Sequence, residues 1–396
     1  MTPNVMRLTP LDSEVRGDKV IRQCKIERMD NGNVSSEQIL WFTLPASVPQ
    51  IDNNDCDAYT IIMLMDAMQE ARQIEVKGSV CQELLSNLVE FQGAWQKWRP
   101  GTYHQVAMIA DEERAPVAPT PGAICAFSGG VDATFTVWRH TQNKWQQRSQ
   151  HITQCVMVHG FDIPLKKTQD YERALHRAQQ TLNDISLPIS PAATNFRELS
   201  RVHWEDACAI GLVATLSHFK QLAGRCLIGS SEPYNALVIP WGSSPITDYL
   251  LSSSAFSVIH DGATHNRTEK VAQIMDWPAG IANLRVCWQG EQHDSNCGGC
   301  EKCLRTMGNF CAVGAPIPDC FSNKDFEEKL KHLTLKTFLT RSEWKQIYYH
   351  ATANGISAPW VKRVKQVAFH LPLNERLLPK GSQRRTLVKR VLSWLK

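Results

Sequence analysis

Twelve residues limit most strongly what this chain can fold into: Ala123-Ile-Cys-Ala-Phe127-Ser128-Gly129-Gly130-Val131-Asp132-Ala133-Thr134. A buried strand, a turn of small residues and the first turn of a helix follow one another without a break. Two adjacent glycines let the backbone approach a ligand closely and take conformations that other residues avoid. The amides behind them point out of a helix N-terminus, where an anion is favoured. Asp132 stands where a carboxylate could hold a metal on that anion. No G-x-x-x-x-G-K-[ST] run occurs, so this is not a Walker loop. The plain alternative is an ordinary strand-to-helix turn.

From that point the chain alternates. Strands are predicted at Ala123–Phe127, Cys155–His159, Ile185–Ala192 and Cys226–Gly229, with helices over Val131–Gln142, Lys167–Leu182 and His203–Leu222 between them. Short apolar strands separated by longer helices imply an α/β fold with a doubly wound parallel sheet. Ligands of such sheets lie beyond the carboxyl ends of the strands. That rule selects the Ser128–Asp132 loop, His159-Gly-Phe-Asp162, Thr194-Asn195 and Gly229-Ser230-Ser231-Glu232.

The flanking parts read differently. Residues 1–118 form a first α+β unit, with a hairpin of Lys19–Arg28 and Gln38–Leu44 turning at Asp30-Asn-Gly-Asn33. Helices are expected at Ala58–Arg72 and Val80–Trp98, and strands at Ile74–Lys77 and Tyr103–Ala110. Three prolines between Arg114 and Gly122 predict a stiff spacer. Residues 231–266 lack periodicity yet are too apolar for disorder, so they read as a substrate-covering segment or a structural insert. His260-Asp-Gly262 reads as a turn. In the next helix Arg267 and Lys270 either reach a phosphate or form a solvated face. Residues 316–396 look helical, over Lys324–Leu333, Arg341–Ala353, Ala358–Phe369 and Arg384–Leu395. Ten Lys and Arg against one acid from Val361 onward put the basicity in that tail, leaving the remainder at about −5 of the net +4. Its last helix is amphipathic and basic. It either docks on its own protein or meets RNA, lipid or a partner groove.

Thirteen cysteines are scattered except for Cys287, Cys297, Cys300 and Cys303, spaced C-x9-C-x2-C-x2-C. Four thiolates at such gaps can surround one tetrahedral zinc, with an iron–sulfur cluster as the rival. No position is left open, which predicts a structural metal. Cys311 and Cys320 are expected to be packed or spare. An odd cysteine count with one metal cluster suits a reducing compartment, hence the cytoplasm. Neither an eighteen-residue apolar run nor a signal h-region is present.

Ser128-Gly129-Gly130-x-Asp132 after a strand resembles the PP-loop of the ATP pyrophosphatases, which cleave ATP between the α- and β-phosphates. The loop followed about 155 residues later by C-x9-C-G-x-C-x2-C-x-R is similar to the 7-cyano-7-deazaguanine synthase (QueC) family over roughly residues 120–315. His159-Gly-Phe-Asp-Ile-Pro164, Pro240-Trp-Gly-Ser-Ser-Pro-Ile-Thr-Asp248 and the cysteine run look like a longer QueC-like branch of bacterial anti-phage systems, the QatC branch. The resemblance implies a PP-loop/adenine nucleotide α-hydrolase domain over 119–315, an added N-terminal domain over 1–118 and a helical region over 316–396. It implies ATP, Mg²⁺ and Zn²⁺, a 7-deazaguanine carboxylate as substrate, and other defence-system proteins as partners. By the same resemblance Ser128, Gly129, Gly130, Val131, Asp132, Ala133 and Thr134 hold the nucleotide, with Gly229, Ser230 and Ser231 beside it. Asp132 carries Mg²⁺, and Ser128, Asp132 and Lys270 act in catalysis. His159, Asp162, Asp248 and Arg267 fall to the substrate, and the four cysteines to zinc. The family's Ser after Asp132 is Ala133 here, with Thr134 one place later. Two other readings stay open: a PP-loop enzyme acting on tRNA, and a non-catalytic scaffold of a defence complex.

Overall fold

Strand pairing builds the molecule outward from the expected hairpin. The computed structural model describes residues 4–321, 325–335, 337–369 and 388. β1 (Val5–Arg16), β2 (Lys19–Asp30) and β3 (Asn33–Pro45) form an antiparallel meander. Asn31 and Gly32 both take positive φ between β2 and β3, as a two-residue hairpin turn requires. β1 was not expected; its buried positions Val5, Met6 and Leu8 are interrupted by polar residues and Pro10, which hides its period. α1 (Asp57–Glu70) is buried from Asp57 to Met68 because it packs against α6 (Trp204–Ser217) as well as β1 and β4 (Gln73–Cys81). β4 lies parallel to β1 and is followed by α2 (Gln82–Trp98) and β5 (Met108–Arg114). The strand expected from Tyr103 therefore begins later and runs into the expected proline spacer. Tyr103 is buried and donates its hydroxyl to Asp206 at 2.9 Å, which takes it out of any ladder.

The second half alternates as expected. β6 (Ala123–Ala126), α3 (Val131–Thr141), β7 (Ile152–His159), α4 (Thr168–Asn183), β8 (Ile189–Thr194), α5 (Phe196–Leu199), α6 and β9 (Arg225–Gly229) follow in turn. β10 (Ser257–Asp261) pairs parallel to β9, so His260 and Asp261 end a strand and the expected turn is reduced to Gly262. The sheet order is β10-β9-β6-β7-β8-β3-β2-β1-β4-β5. Its β10-to-β8 half is parallel throughout. That half is the parallel sheet expected of residues 123–230; the whole sheet is mixed because the strands of 1–118 join it with antiparallel pairs. β3 joins β8 antiparallel through only Phe42↔Thr194 and Thr43↔Ala193. Asn195 prolongs that seam, accepting from the Trp41 amide at 2.9 Å and donating to the Ile39 carbonyl at 2.8 Å.

Residues 1–297 with 318–322 form one compact unit, so the strands of 1–118 share a sheet with those that follow. α7 (Arg267–Ile274) and α8 (Pro278–Ala282) complete it. The other unit comprises 298–317 and the described residues beyond 323. It holds α9 (Glu301–Ala312), α10 (Phe326–Leu330), α11 (Phe338–Ala353) and α12 (Pro359–Phe369). Met307, Phe310, Trp344 and Ile347 are buried there, and Trp344 donates to Glu301 at 2.8 Å. The basic helix expected at Arg384–Leu395 lies outside the described residues apart from Val388. Among the described residues no helix is long and apolar enough to cross a membrane.

A buried ion network fastens the strands of 1–118 to the end of α6. Lys220 pairs with Asp55 at 2.5 Å and Asp57 at 2.8 Å, and Arg114 reaches the same two carboxylates. Removing Lys220 leaves two buried carboxylates with Arg114 as their one remaining cation, so Lys220→Ala is expected to cost about 3 kcal/mol of stability. A fall in the urea midpoint checks it; an unchanged midpoint would mean the network is solvated.

Candidate functional site

The order of strands reverses at β6: β7 and β8 lie on one side of it, β9 and β10 on the other. A crevice forms at such a reversal, outside the carboxyl ends of the strands. The Ser128–Asp132 loop stands at its mouth. Phe127 continues the ladder by donating to the Val156 carbonyl, and Gly129 then turns the chain at φ +77°. Gly130 caps α3. The helix start comes so close to β9 that a Cβ on Gly229 would sit 2.9 Å from the Asp132 carbonyl. Only glycine fits there.

α7 supplies the charge behind the loop. A reciprocal cap fixes its first turn: Asn266 accepts from the Glu269 amide at 3.0 Å and Glu269 accepts from the Asn266 amide at 2.8 Å. Arg267 and Lys270, three residues apart, then share a face. Both meet Asp132: Arg267 Nη2 at 3.0 Å on one carboxylate oxygen, Lys270 Nζ at 2.9 Å on the other. Lys270 also donates to the Ser230 carbonyl and is fully buried. Burial alone would raise the Asp132 pKa, but Arg267 and Lys270 outweigh it and hold the carboxyl well below its usual range.

A cavity of about 230 Å³ opens at the crevice. Ser128, Asp132, Ala133, Asp162 and Gly229 line it, so five expected site residues from three strand ends come together. Apolar walls come from Val156, Val158, Phe161, Leu212 and Ile228, and Trp204 packs on Phe161 at 4.9 Å between centroids. Arg285 also lines it and was missed by the sequence reading. It sits two places before Cys287, in a stretch with no period to mark it. Its backbone amide donates to the Gly129 carbonyl at 2.8 Å, Nε to the Ser128 carbonyl at 3.2 Å and Nη1 to the His293 carbonyl at 3.1 Å. Cys208 lines the cavity as well, and burial pushes its thiol far above the usual value.

Other expected residues stand elsewhere. Val131 and Thr134 are buried in α3, and the Thr134 hydroxyl has no partner and does not line the cavity. Ser230 is buried and donates to the Glu232 carbonyl at 2.6 Å; neither it nor Ser231 lines the cavity. His159 stacks on Tyr171 at 4.4 Å and donates to the Pro164 carbonyl at 3.0 Å, lining a separate cavity of about 210 Å³ with Lys19, Thr43 and Glu172. Burial lowers its pKa, with that hydrogen bond in opposition. Asp248 is fully buried and accepts from Ser243 at 2.7 Å, the Ser244 amide at 2.9 Å and His260 at 2.8 Å. It pins its own loop to β10 and lines neither of these cavities.

The ligand atoms of Cys287, Cys297, Cys300 and Cys303 all lie within 4.8 Å of one another. Four thiolates so gathered fit one tetrahedral metal such as zinc, with no coordination position left open. Asn296 shapes the approach: its side chain accepts from the Val286 amide at 2.9 Å and donates to the Leu284 carbonyl at 2.8 Å. Cys311 and Cys320 lie outside the group, and burial pushes their thiols up to about 11 and about 12. Both carboxylate oxygens of Asp132 accept from cations, Oδ2 from Arg267 and Oδ1 from Lys270.

No protein-family model, curated protein or solved structure matches this chain.

Two predictions follow from these geometries. Metal analysis of the purified protein is expected to give one zinc per chain, lost in Cys300→Ser and kept in Cys311→Ser; zinc retained by the former would remove the site. Asp132, with its pKa depressed on folding, contributes stability above the unfolded value of about 3.9 and loses it as pH falls through the folded one. The gap in urea midpoint between the wild type and Asp132→Asn is therefore expected to be flat from pH 7 to about 5 and to close in acid. A gap unchanged at pH 3 contradicts the ion pairs.

Proposed function

We propose that this chain is a QueC-like PP-loop enzyme that adenylates a 7-deazaguanine carboxylate for attack by an amine. The observation that carries the reading is the meeting of the Ser128–Asp132 loop, Arg285 and an aromatic wall in one crevice at the strand reversal. A carboxylate cannot expel oxide, so it must first be activated. Its oxygen attacks the α-phosphorus of ATP, the bond to the bridging β-oxygen breaks, and pyrophosphate leaves with the electron pair. An amine then forms the C–N bond, AMP departs with the carbonyl–oxygen electrons, and the amine proton passes to solvent or a base.

The chain's part is positioning and charge. Backbone amides of Gly129 and Gly130, with the N-terminus of α3, receive the departing pyrophosphate. Arg267 and Lys270 set a positive field behind it through Asp132. Phe161 and Trp204 offer flat apolar faces to a heterocycle. Any Mg²⁺ enters on the nucleotide. The added N-terminal strands and a defence role in the cytoplasm belong to the same proposal, with the acceptor amine being ammonia or a group on a partner protein.

Incubation with ATP, Mg²⁺, 7-carboxy-7-deazaguanine and ammonia is expected to release AMP and pyrophosphate in equal amounts. Asp132→Ala should slow that release about 10²-fold or more. AMP formed only when tRNA is added would shift the reading to an RNA-modifying enzyme. No AMP with any acceptor would leave a scaffold.

A further inference from the structure

We infer that Arg285 is the catalytic cation that meets the substrate carboxylate in the cavity, rather than Lys270 or Arg267. The inference deepens the adenylation reading and rests on it. Lys270 is fully buried, committed to Asp132 and the Ser230 carbonyl, and does not line the cavity. Arg267 spends both Nε, at 3.2 Å, and Nη2 on Asp132.

Arg285 is placed differently. Only 6% of it is exposed, and it lines the cavity. Its partners are all neutral carbonyls: Ser128 to Nε and His293 to Nη1. Among the described residues no carboxylate lies within ion-pair distance, and Nη2 makes no hydrogen bond. Asp162, on the same cavity, and Asp294 act on the guanidinium only from beyond ion-pair distance. A buried guanidinium with no direct ion pair is costly unless a closer anion supplies one. Arg139, Lys220 and Lys270 have such a counter-charge on Asp261, on Asp55 and Asp57, and on Asp132. Arg22, equally buried, has none but satisfies both terminal nitrogens on the Ile51 and Asp52 carbonyls, so Arg285 differs in leaving Nη2 open on a cavity.

The fork is also aimed. Two side-chain bonds and the amide bond to Gly129 fix the guanidinium plane against the loop, so the free Nη2 edge keeps one direction. The cavity, at about 230 Å³, is smaller than the ~300 Å³ of ordinary small-ligand pockets. It therefore seats one ring system and the acid attached to it. An anion held at Nη2 stands beside the loop that takes the phosphates, between the apolar wall and the helix start. That is where a carboxylate must wait for the α-phosphorus. Arg285 holds it without moving, and its charge offsets the repulsion between the two approaching anions.

The test measures binding by calorimetry with the full chain, wild type against Arg285→Gln and Arg285→Lys. The probes are 7-carboxy-7-deazaguanine, its neutral 7-cyano counterpart and inorganic phosphate. Arg285→Gln is expected to lose tenfold or more in affinity for the carboxylate and little for the nitrile. Carboxylate-dependent pyrophosphate exchange should fall about 10²–10³-fold in kcat with the KM for ATP nearly unchanged. Arg285→Lys, which keeps charge but not the fork, should fall between them. Added guanidinium chloride should restore part of the exchange to Arg285→Gln, which a merely misfolded variant would not show. Equal carboxylate affinity in the wild type and Arg285→Gln overturns the inference. If the wild type binds neither deazapurine but loses phosphate binding on Arg285→Gln, the adenylation reading falls while the anion site stands. Equal phosphate binding in that case removes both.

Discussion

The contact on which the site depends is the double ion pair at Asp132. It joins the first turn of α3 to the first turn of α7, and through Lys270 to the carbonyl of Ser230 beyond β9. Three segments distant in sequence are thus fixed around one carboxylate. The arrangement works only because α3 begins almost in contact with β9, which Gly229 permits and any side chain would prevent. Further along α3 the same pattern recurs: Thr136 donates to Asp261 at 2.9 Å and His140 at 3.1 Å, with Arg139 on the same carboxylate. Two acids, the half-buried Asp132 of the helix and the buried Asp261 of β10, hold α3 across the parallel edge of the sheet. Burial raises the Asp261 pKa, but His140 and Arg139 more than reverse it, so both acids stay charged and keep their grip.

Local pattern made much of this legible. The Asn-Gly turn, the amphipathic helices and the apolar strands β6, β7 and β9 each carry their period in a short window. The loop at Ser128–Asp132 is readable because glycine pairs between a strand and a helix have few other uses. What stayed hidden is set by partners far away. β1 lacks a clean alternation, and its register comes from β2 and β4 on its two sides. β10 is brief, and only its place beside β9 makes it a strand. The fusion of both halves into one sheet turns on two residue pairs and the side chain of Asn195, which no window of sequence joins.

The same limit explains the site residues. Asp162 and Gly229 could be placed from the rule about strand ends, since topology alone brings them to the crevice. His159 obeys that logic in sequence but not in space, and Asp248 is expected at the site from the resemblance alone. Asp248 is used up by Ser243, Ser244 and His260. His159 is the last residue of β7 and lines a different cavity from its neighbour Val158, as alternation along a strand requires. Arg285 comes from a stretch with no secondary structure, and its role emerges from three bonds to residues more than 150 places away or across a loop.

One departure from the PP-loop pattern then acquires a physical meaning. Where the pattern has serine after the acid, Ala133 forms part of the cavity wall with its methyl group. The hydroxyl of Thr134, one place on, does not replace it: it is buried without a partner, beside the position where Gly280 approaches its methyl. On the proposed reading, alanine at 133 offers the nucleotide no hydroxyl donor. On the same reading, the Arg285 guanidinium, braced on the backbone of that loop and in no direct ion pair, adds a charged and directional one. Charge-assisted hydrogen bonds are roughly twice as strong as neutral ones. On the adenylation reading proposed above, Arg285 supplies at the crevice the anion-holding donor that Ala133 does not.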